Sequence, residues 1–126
     1  MIDPIADLLV RIRNAAAVGK FQVTMPYSKM KVAVLEIMKR EGFLESVSVT
    51  EEENKKNIVI NISTSKTPSH LRLLSHQGQK IYAKKKEIKI PLRGLGLLIV
   101  STPAGVITGR EAIKKGVGGE LICEIW

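Results

Sequence analysis

Several things are scarce in this chain, and each scarcity removes a class of explanation. There is one cysteine, Cys123, in 126 residues, so neither an internal disulfide nor a thiolate metal cluster can be built. Aromatic residues make up only 4%, too few for the rows of rings on which single strands usually stack. No apolar run approaches the roughly 20 residues that a membrane-spanning helix requires. The opening, Met1-Ile2-Asp3-Pro4, is acidic at its third residue and reads as a helix start, without the basic-then-apolar build of a secretory leader or the Arg- and Ser-rich look of a transit peptide. The expected setting is therefore a soluble, intracellular protein with no membrane partner.

Acidic residues are also scarce in one half. The net charge is +8, divided into +1 over residues 1–65 and +7 over residues 66–126. An excess confined to one region predicts a polyanion bound mainly there. Apolar residues reach 44%, enough for one modest core or two small ones and too many for a disordered tail.

Local signals order the first half. Asp3 is an N-cap with Pro4 at the first helical position, and Ile5, Leu8, Leu9, Ile12 and Ala16 share one helical face up to Gly19. Phe21 to Met25 alternates like a strand, stopped by Pro26. Ser28 caps a second helix with inner face Met30, Val34, Ile37 and Met38, ended by Gly42. Two strands follow, Phe43 to Thr50 and Ile58 to Ser63, joined by a turn around residues 51–54. The polar stretch 63–69 reads as a linker. Beyond it strands are expected at Leu71 to Leu73, Lys80 to Tyr82, Leu95 to Val100 and Leu121 to Ile125. One short helix, Thr108 to Lys115, carries the capping-box spacing Thr108-x-x-Glu111 and stops at Gly116. The expected fold is α+β in two small domains: an N-terminal α/β domain, 1–65, and a C-terminal mostly β domain with one short helix, 66–126.

Enzyme readings fail individually. Gly94-Leu95-Gly96 introduces a strand and lacks the third glycine of a dinucleotide loop, and the segment 105–109 lacks the Gly-Lys-Ser/Thr ending of a phosphate loop. His70 and His76 have no matching ligand set, so no metal is expected, and they are expected at the surface. Cys123 alternates with Leu121 and Ile125 and reads as a core thiol. No catalytic residue, cofactor or small-molecule substrate is expected.

Nucleic-acid chemistry fares better. Ser101-Thr102-Pro103-Ala104-Gly105 places hydroxyls and exposed backbone after a buried strand, where they can bond phosphates, sugars and base edges. Gly118 and Gly119 would let another backbone, of RNA or of protein, approach closely. Lys84, Lys85 and Lys86, with Lys80 near, form the densest basic stretch and adjoin Tyr82. Lys29 and Lys31 sit in the first turn of the second helix, where each cation opposes the helix dipole by about 0.3–1 kcal/mol, a conflict that a phosphate would relieve.

These motifs together resemble the small-subunit ribosomal protein eight family. The resemblance rests on Asp3 to Asp7, Arg11 to Ala15, Pro26 to Lys29, Glu41 to Phe43, Gly94 to Gly96, Val100 to Thr108 and Gly118 to Cys123, in the family's order from end to end. It implies two small domains and a primary binder of the central domain of small-subunit ribosomal RNA that helps to organise the platform. It further implies small-subunit proteins five and twelve as neighbours, its own messenger RNA as a possible second target, and residence in a cytoplasmic ribosome, with an organelle ribosome as the other option. Carried over by match, Ser101, Thr102, Gly105, Gly118, Gly119, Glu120 and Tyr82 are implied contacts, joined from the first domain by Asp3, Arg13, Asn14 and Lys29. The chain departs from the family twice. Pro103 replaces a third hydroxyl, and His76 to Lys80 replaces an Arg-Pro-Gly-x-Arg segment. The alternative function is an RNA-binding translational regulator outside the ribosome.

Overall fold

The computed structural model describes residues 3–126; Met1 and Ile2 lie outside it. The fold is α+β, in two compact units, one running to Ser69 and the other from His70 to Trp126.

The first unit contains α1 (Pro4–Ala17), β1 (Gln22–Pro26), α2 (Lys29–Arg40), β2 (Leu44–Glu52) and β3 (Lys55–Ile62). The Asp3 carboxylate accepts from the Ile5 and Ala6 amides at 2.9 and 3.3 Å, satisfying donors that the start of α1 leaves free. Its buried stripe is Ile5, Leu8, Leu9, Ile12 and Ala15; the expected Ala16 is only half-buried. In α2 the inward residues are Lys31, Val34, Leu35, Ile37 and Met38, and Met30, expected inside, is half-buried. The three strands are antiparallel in the order β1-β3-β2. The β2–β3 turn is tighter than expected, with Glu53 and Asn54 both at positive φ, 49° and 65°, the conformation of two-residue hairpins. Met25, Ile58, Ile60 and Ile62 close the core beneath the helices. Lys66 and Thr67, expected to open the second domain, bond back to this unit: Lys66 N and Thr67 Oγ1 to Ser63, and Lys66 Nζ to the Glu41 carbonyl at 2.8 Å.

The second unit contains β4 (Leu71–Leu73), β5 (Tyr82–Ala83), a 3-10 turn (Leu92–Gly94), β6 (Leu97–Thr102), β7 (Gly105–Thr108), α3 (Gly109–Lys115) and β8 (Gly119–Ile125). The order is β4-β8-β6-β7, with β5 also on β8. β6 starts at Leu97, two residues later than expected, because Leu92, Arg93 and Gly94 all take positive φ and turn the chain. That turn leaves Leu95 83% exposed. A strand not anticipated, β7, pairs with β6 and turns the Ser101-Thr102 loop into a hairpin tip. α3 begins at its capping box, Thr108 Oγ1 accepting from Glu111 N at 3.1 Å and Glu111 Oε1 from Thr108 N at 3.2 Å, and ends at Gly116 with φ 68°. Ala83, Ile88, Leu98, Val100, Ile107 and Ala112 form one core cluster.

Candidate nucleic-acid interface

β8 is the backbone of the site. Tyr82 on β5 pairs with Glu120, and Ser101 on β6 pairs with the same Glu120 from the other side. Directly opposed residues of antiparallel strands share a face, so ring, carboxylate and hydroxyl form one row across three strands. Tyr82, Lys84, Lys85, Ser101, Thr102, Pro103, Gly118, Gly119 and Glu120 line a single open groove of about 720 Å³, together with Ala83 and Glu87. Lys80 and Lys86 are exposed and lie outside that lining, as does Gly105 beside Thr102 in the hairpin.

Tyr82 is 70% exposed, so its ring is not part of the core. Lys84, Lys85 and Lys86 are exposed on a turn fixed by Glu87, whose Oε1 accepts from the Lys84 amide at 2.8 Å. The Lys-x-x-Glu spacing is the signal by which the sequence could have pointed to Glu87, which was not among the expected residues. Lys80 Nζ lies 3.7 Å from Glu120 Oε2, which keeps a cation beside the groove's carboxylate.

The two hydroxyls of the tip differ in role. Thr102 Oγ1 donates to the Gly105 carbonyl at 2.9 Å and accepts from the Ala104 amide at 3.1 Å. Its one proton is therefore committed inside the hairpin, where a donor toward a ligand was expected. Pro103, exposed, holds the first turn position that its fixed φ suits, and Gly105 supplies the positive φ of 107°. Ser101 Oγ makes no hydrogen bond among the described residues and opens into the groove.

The two glycines serve protein packing. A Cβ on Gly119 would collide with the Ser101 carbonyl oxygen, and one on Gly118 with the Ala83 carbonyl oxygen and, at 2.9 Å, with Lys84 Cα. The close neighbour left open by the sequence is thus the chain's own backbone, drawing β5 and β6 against β8.

The first-unit candidates do not gather with one another. Asp3 spends its carboxylate on capping α1. Lys29 is exposed at the first position of α2, but Lys31 is 5% exposed and donates to the Pro26 carbonyl at 3.2 Å. Lys31 therefore does not face solvent at the helix N-terminus as expected; its aliphatic stem fills core space and its ammonium is turned onto the backbone. Arg13 is exposed on α1, and Asn14 lines a smaller groove with Arg11, Lys20, Gln22 and Thr24. Of that set only Asn14 was expected, although Gln22 and Thr24 alternate visibly along β1.

His70 is a correction. Expected at the surface, it is half-buried: it stacks on Trp126 with ring centroids 3.7 Å apart, and its Nε2 lies 3.1 Å from Glu124 Oε1. His76 is exposed, its backbone paired with Gln79. Cys123 is buried, with its thiol pushed up to about 12 by desolvation and then by the Glu124 charge; such a thiol stays protonated and inert. Among the described residues no group of three or more His, Cys, Asp or Glu could hold a metal ion, and no helix is long and apolar enough to cross a membrane.

Residues 3–126 match the family described as ribosomal protein S8. The chain is 42% identical to the small ribosomal subunit protein uS8 of Thermus aquaticus, across all of this chain and 99% of that protein. It is 44% identical to the uS8 of a Janthinobacterium strain, covering 99% and 98%. It is 45% identical to that of Xanthomonas euvesicatoria, covering 98% and 96%.

Proposed function

The chain belongs to the ribosomal protein S8 family, whose members are small-subunit ribosomal proteins and not enzymes, and from that membership we propose that it binds the central domain of small-subunit ribosomal RNA through the β5–β8–β6 groove. The observation that carries this is the convergence of an exposed aromatic ring, an unbonded hydroxyl and two lysines on one open groove. The lysines supply sequence-independent attraction to phosphates; Ser101 and the exposed ring of Tyr82 face base edges and 2′-hydroxyls. Glu120 repels phosphate but accepts from base N–H groups, which favours seating a base over seating the backbone. A structured RNA with unpaired bases, not a featureless strand, fits the shortage of aromatics.

The same reading gives the chain a place in the platform during assembly, proteins five and twelve as neighbours, and the cytoplasm as its compartment. Its own messenger RNA is a second target wherever that RNA copies the same helix.

The test is filter binding with a central-domain RNA fragment, alongside co-sedimentation with small subunits. The triple change Lys84→Ala, Lys85→Ala, Lys86→Ala is expected to weaken cognate and random RNA alike, with the log–log salt slope falling by about 0.7–0.9 for each phosphate no longer neutralised. An unchanged slope, or loss confined to cognate RNA, refutes the assigned role of the lysines. Absence of the wild-type chain from small subunits refutes the function.

A further inference from the structure

The first unit carries a surface that the groove does not explain. Opposite the core face of its sheet, the register sets up three rows. Gln22, Asn61 and Ser46 form the first, and Thr24, Val59 and Ser48 the second. Pro26, Asn57 and Thr50 form the third. All nine are exposed or half-buried, and none is charged, in a chain that is 25% charged. Charge flanks this face at the hairpin tip, with Lys55 opposite Glu52, and at the β2 bulge, where exposed Glu45 sits beside Ser46.

Strand propensity does not account for these residues, because asparagine is depleted in strands and Asn57 and Asn61 both lie in the central one. The first row is preorganised: Gln22 Nε2 donates to Asn61 Oδ1 at 3.4 Å, and Asn61 Nδ2 to Ser46 Oγ at 2.6 Å. Asn57 makes no side-chain bond among the described residues. Beside the β1 edge, Gln22 and Thr24 continue into the smaller groove with Arg11 and Lys20, about 410 Å³ in volume.

A protein-docking face needs aromatic or large apolar anchors, and this one offers a single valine. A platform for single strands needs rings, and it has none. A flat array of neutral donors and acceptors, with Lys20 and the Asp7-paired Arg11 along one side, matches the shallow minor groove of A-form RNA, which displays 2′-hydroxyls between two phosphate rims. We propose that this sheet face is a second RNA-contact surface, seated on the minor groove of a double-stranded RNA segment and reading its 2′-hydroxyls. The inference rests on the RNA-binding function proposed above and adds a surface to it.

The full chain is tested by filter binding to the central-domain fragment and to two short duplexes of one sequence, RNA and DNA. Thr24→Glu with Ser48→Glu sets two carboxylates against the phosphate rims, and affinity for the fragment is expected to fall roughly tenfold or more. Thr24→Val with Ser48→Ala adds no charge and is expected to erase the wild-type preference for RNA over DNA duplex. Circular dichroism checks the fold, and both positions are exposed. Ser101→Ala is run in parallel and is expected to weaken binding to the central-domain fragment through the groove. Wild-type affinity and duplex preference in both face variants overturn this inference, and if Ser101→Ala still weakens fragment binding, the proposed function stands without it. Face variants that bind RNA normally yet fail to enter reconstituted small subunits assign the surface to a protein and overturn it too. A wild-type chain that binds none of the RNAs sinks both readings together.

Discussion

The two units hold similar candidate residues and use them differently. In the first, Asp3 caps a helix, Lys31 is buried against a carbonyl and Asn14 lines a separate small groove. In the second, residues from Tyr82 to Glu120 meet in one groove, because β8 pairs with β5 and β6 at the same residue. The contrast teaches that residue type and charge nominate, while strand register assembles. It also separates two kinds of surface: an open groove with a serine hydroxyl, a tyrosine and a carboxylate, against a flat sheet face of neutral polar residues.

The largest effect that would sharpen this contrast concerns glycine. Gly119→Ala drives a Cβ into backbone, which cannot give way, and is expected to cost about 3 kcal/mol, the upper end for overpacking. Gly19→Ala in the first unit meets open space at φ 73° and should cost only about 1–2 kcal/mol of backbone strain. Urea unfolding of both variants decides it; equal losses would mean that close packing of β6 on β8 is not what Gly119 provides.

A smaller effect separates the neighbouring hydroxyls. Ser101→Ala is expected to lose about 1 kcal/mol of cognate RNA affinity with unchanged stability. Thr102→Val should lose about 1 kcal/mol of stability, with weaker binding only as the hairpin loosens. If Thr102→Val melts like wild type and still binds poorly, its hydroxyl faces RNA and the division between the two residues breaks.

The smallest effect is expected at Lys31. Lys31→Met keeps the buried stem and removes the ammonium from the Pro26 carbonyl, so RNA affinity should stay within about 0.5 kcal/mol of wild type. A tenfold loss would show that this lysine leaves the core to meet phosphate, and would return it to the candidates.

Much of this was legible in sequence, and the reason is range. Asp3-Pro4, Ser28 and Thr108-x-x-Glu111 act on amides within a few residues, so all three helices are located by their caps. Alternation marks the stretches that become β1, β2, β3, β4, β6 and β8, because a period of two needs no partner to be visible. The loop Ser101 to Gly105 and the lysines from 84 are also nominated by type. The strand β7 escapes such a reading because glycine and hydroxyls there look like loop, and only pairing with β6 makes them strand. Local pattern could not show that Thr102 spends its proton on Gly105, that Gly118 and Gly119 admit the chain's own backbone, or that His70 rests on Trp126. By itself, then, the sequence determined the helices, most strands, the uneven charge and the family, all carried by short-range chemistry or by motif order. Only the tertiary structure decided which nominated residues share a surface, because that depends on register between strands far apart in the chain, and a shift of one residue would send every side chain to the other face.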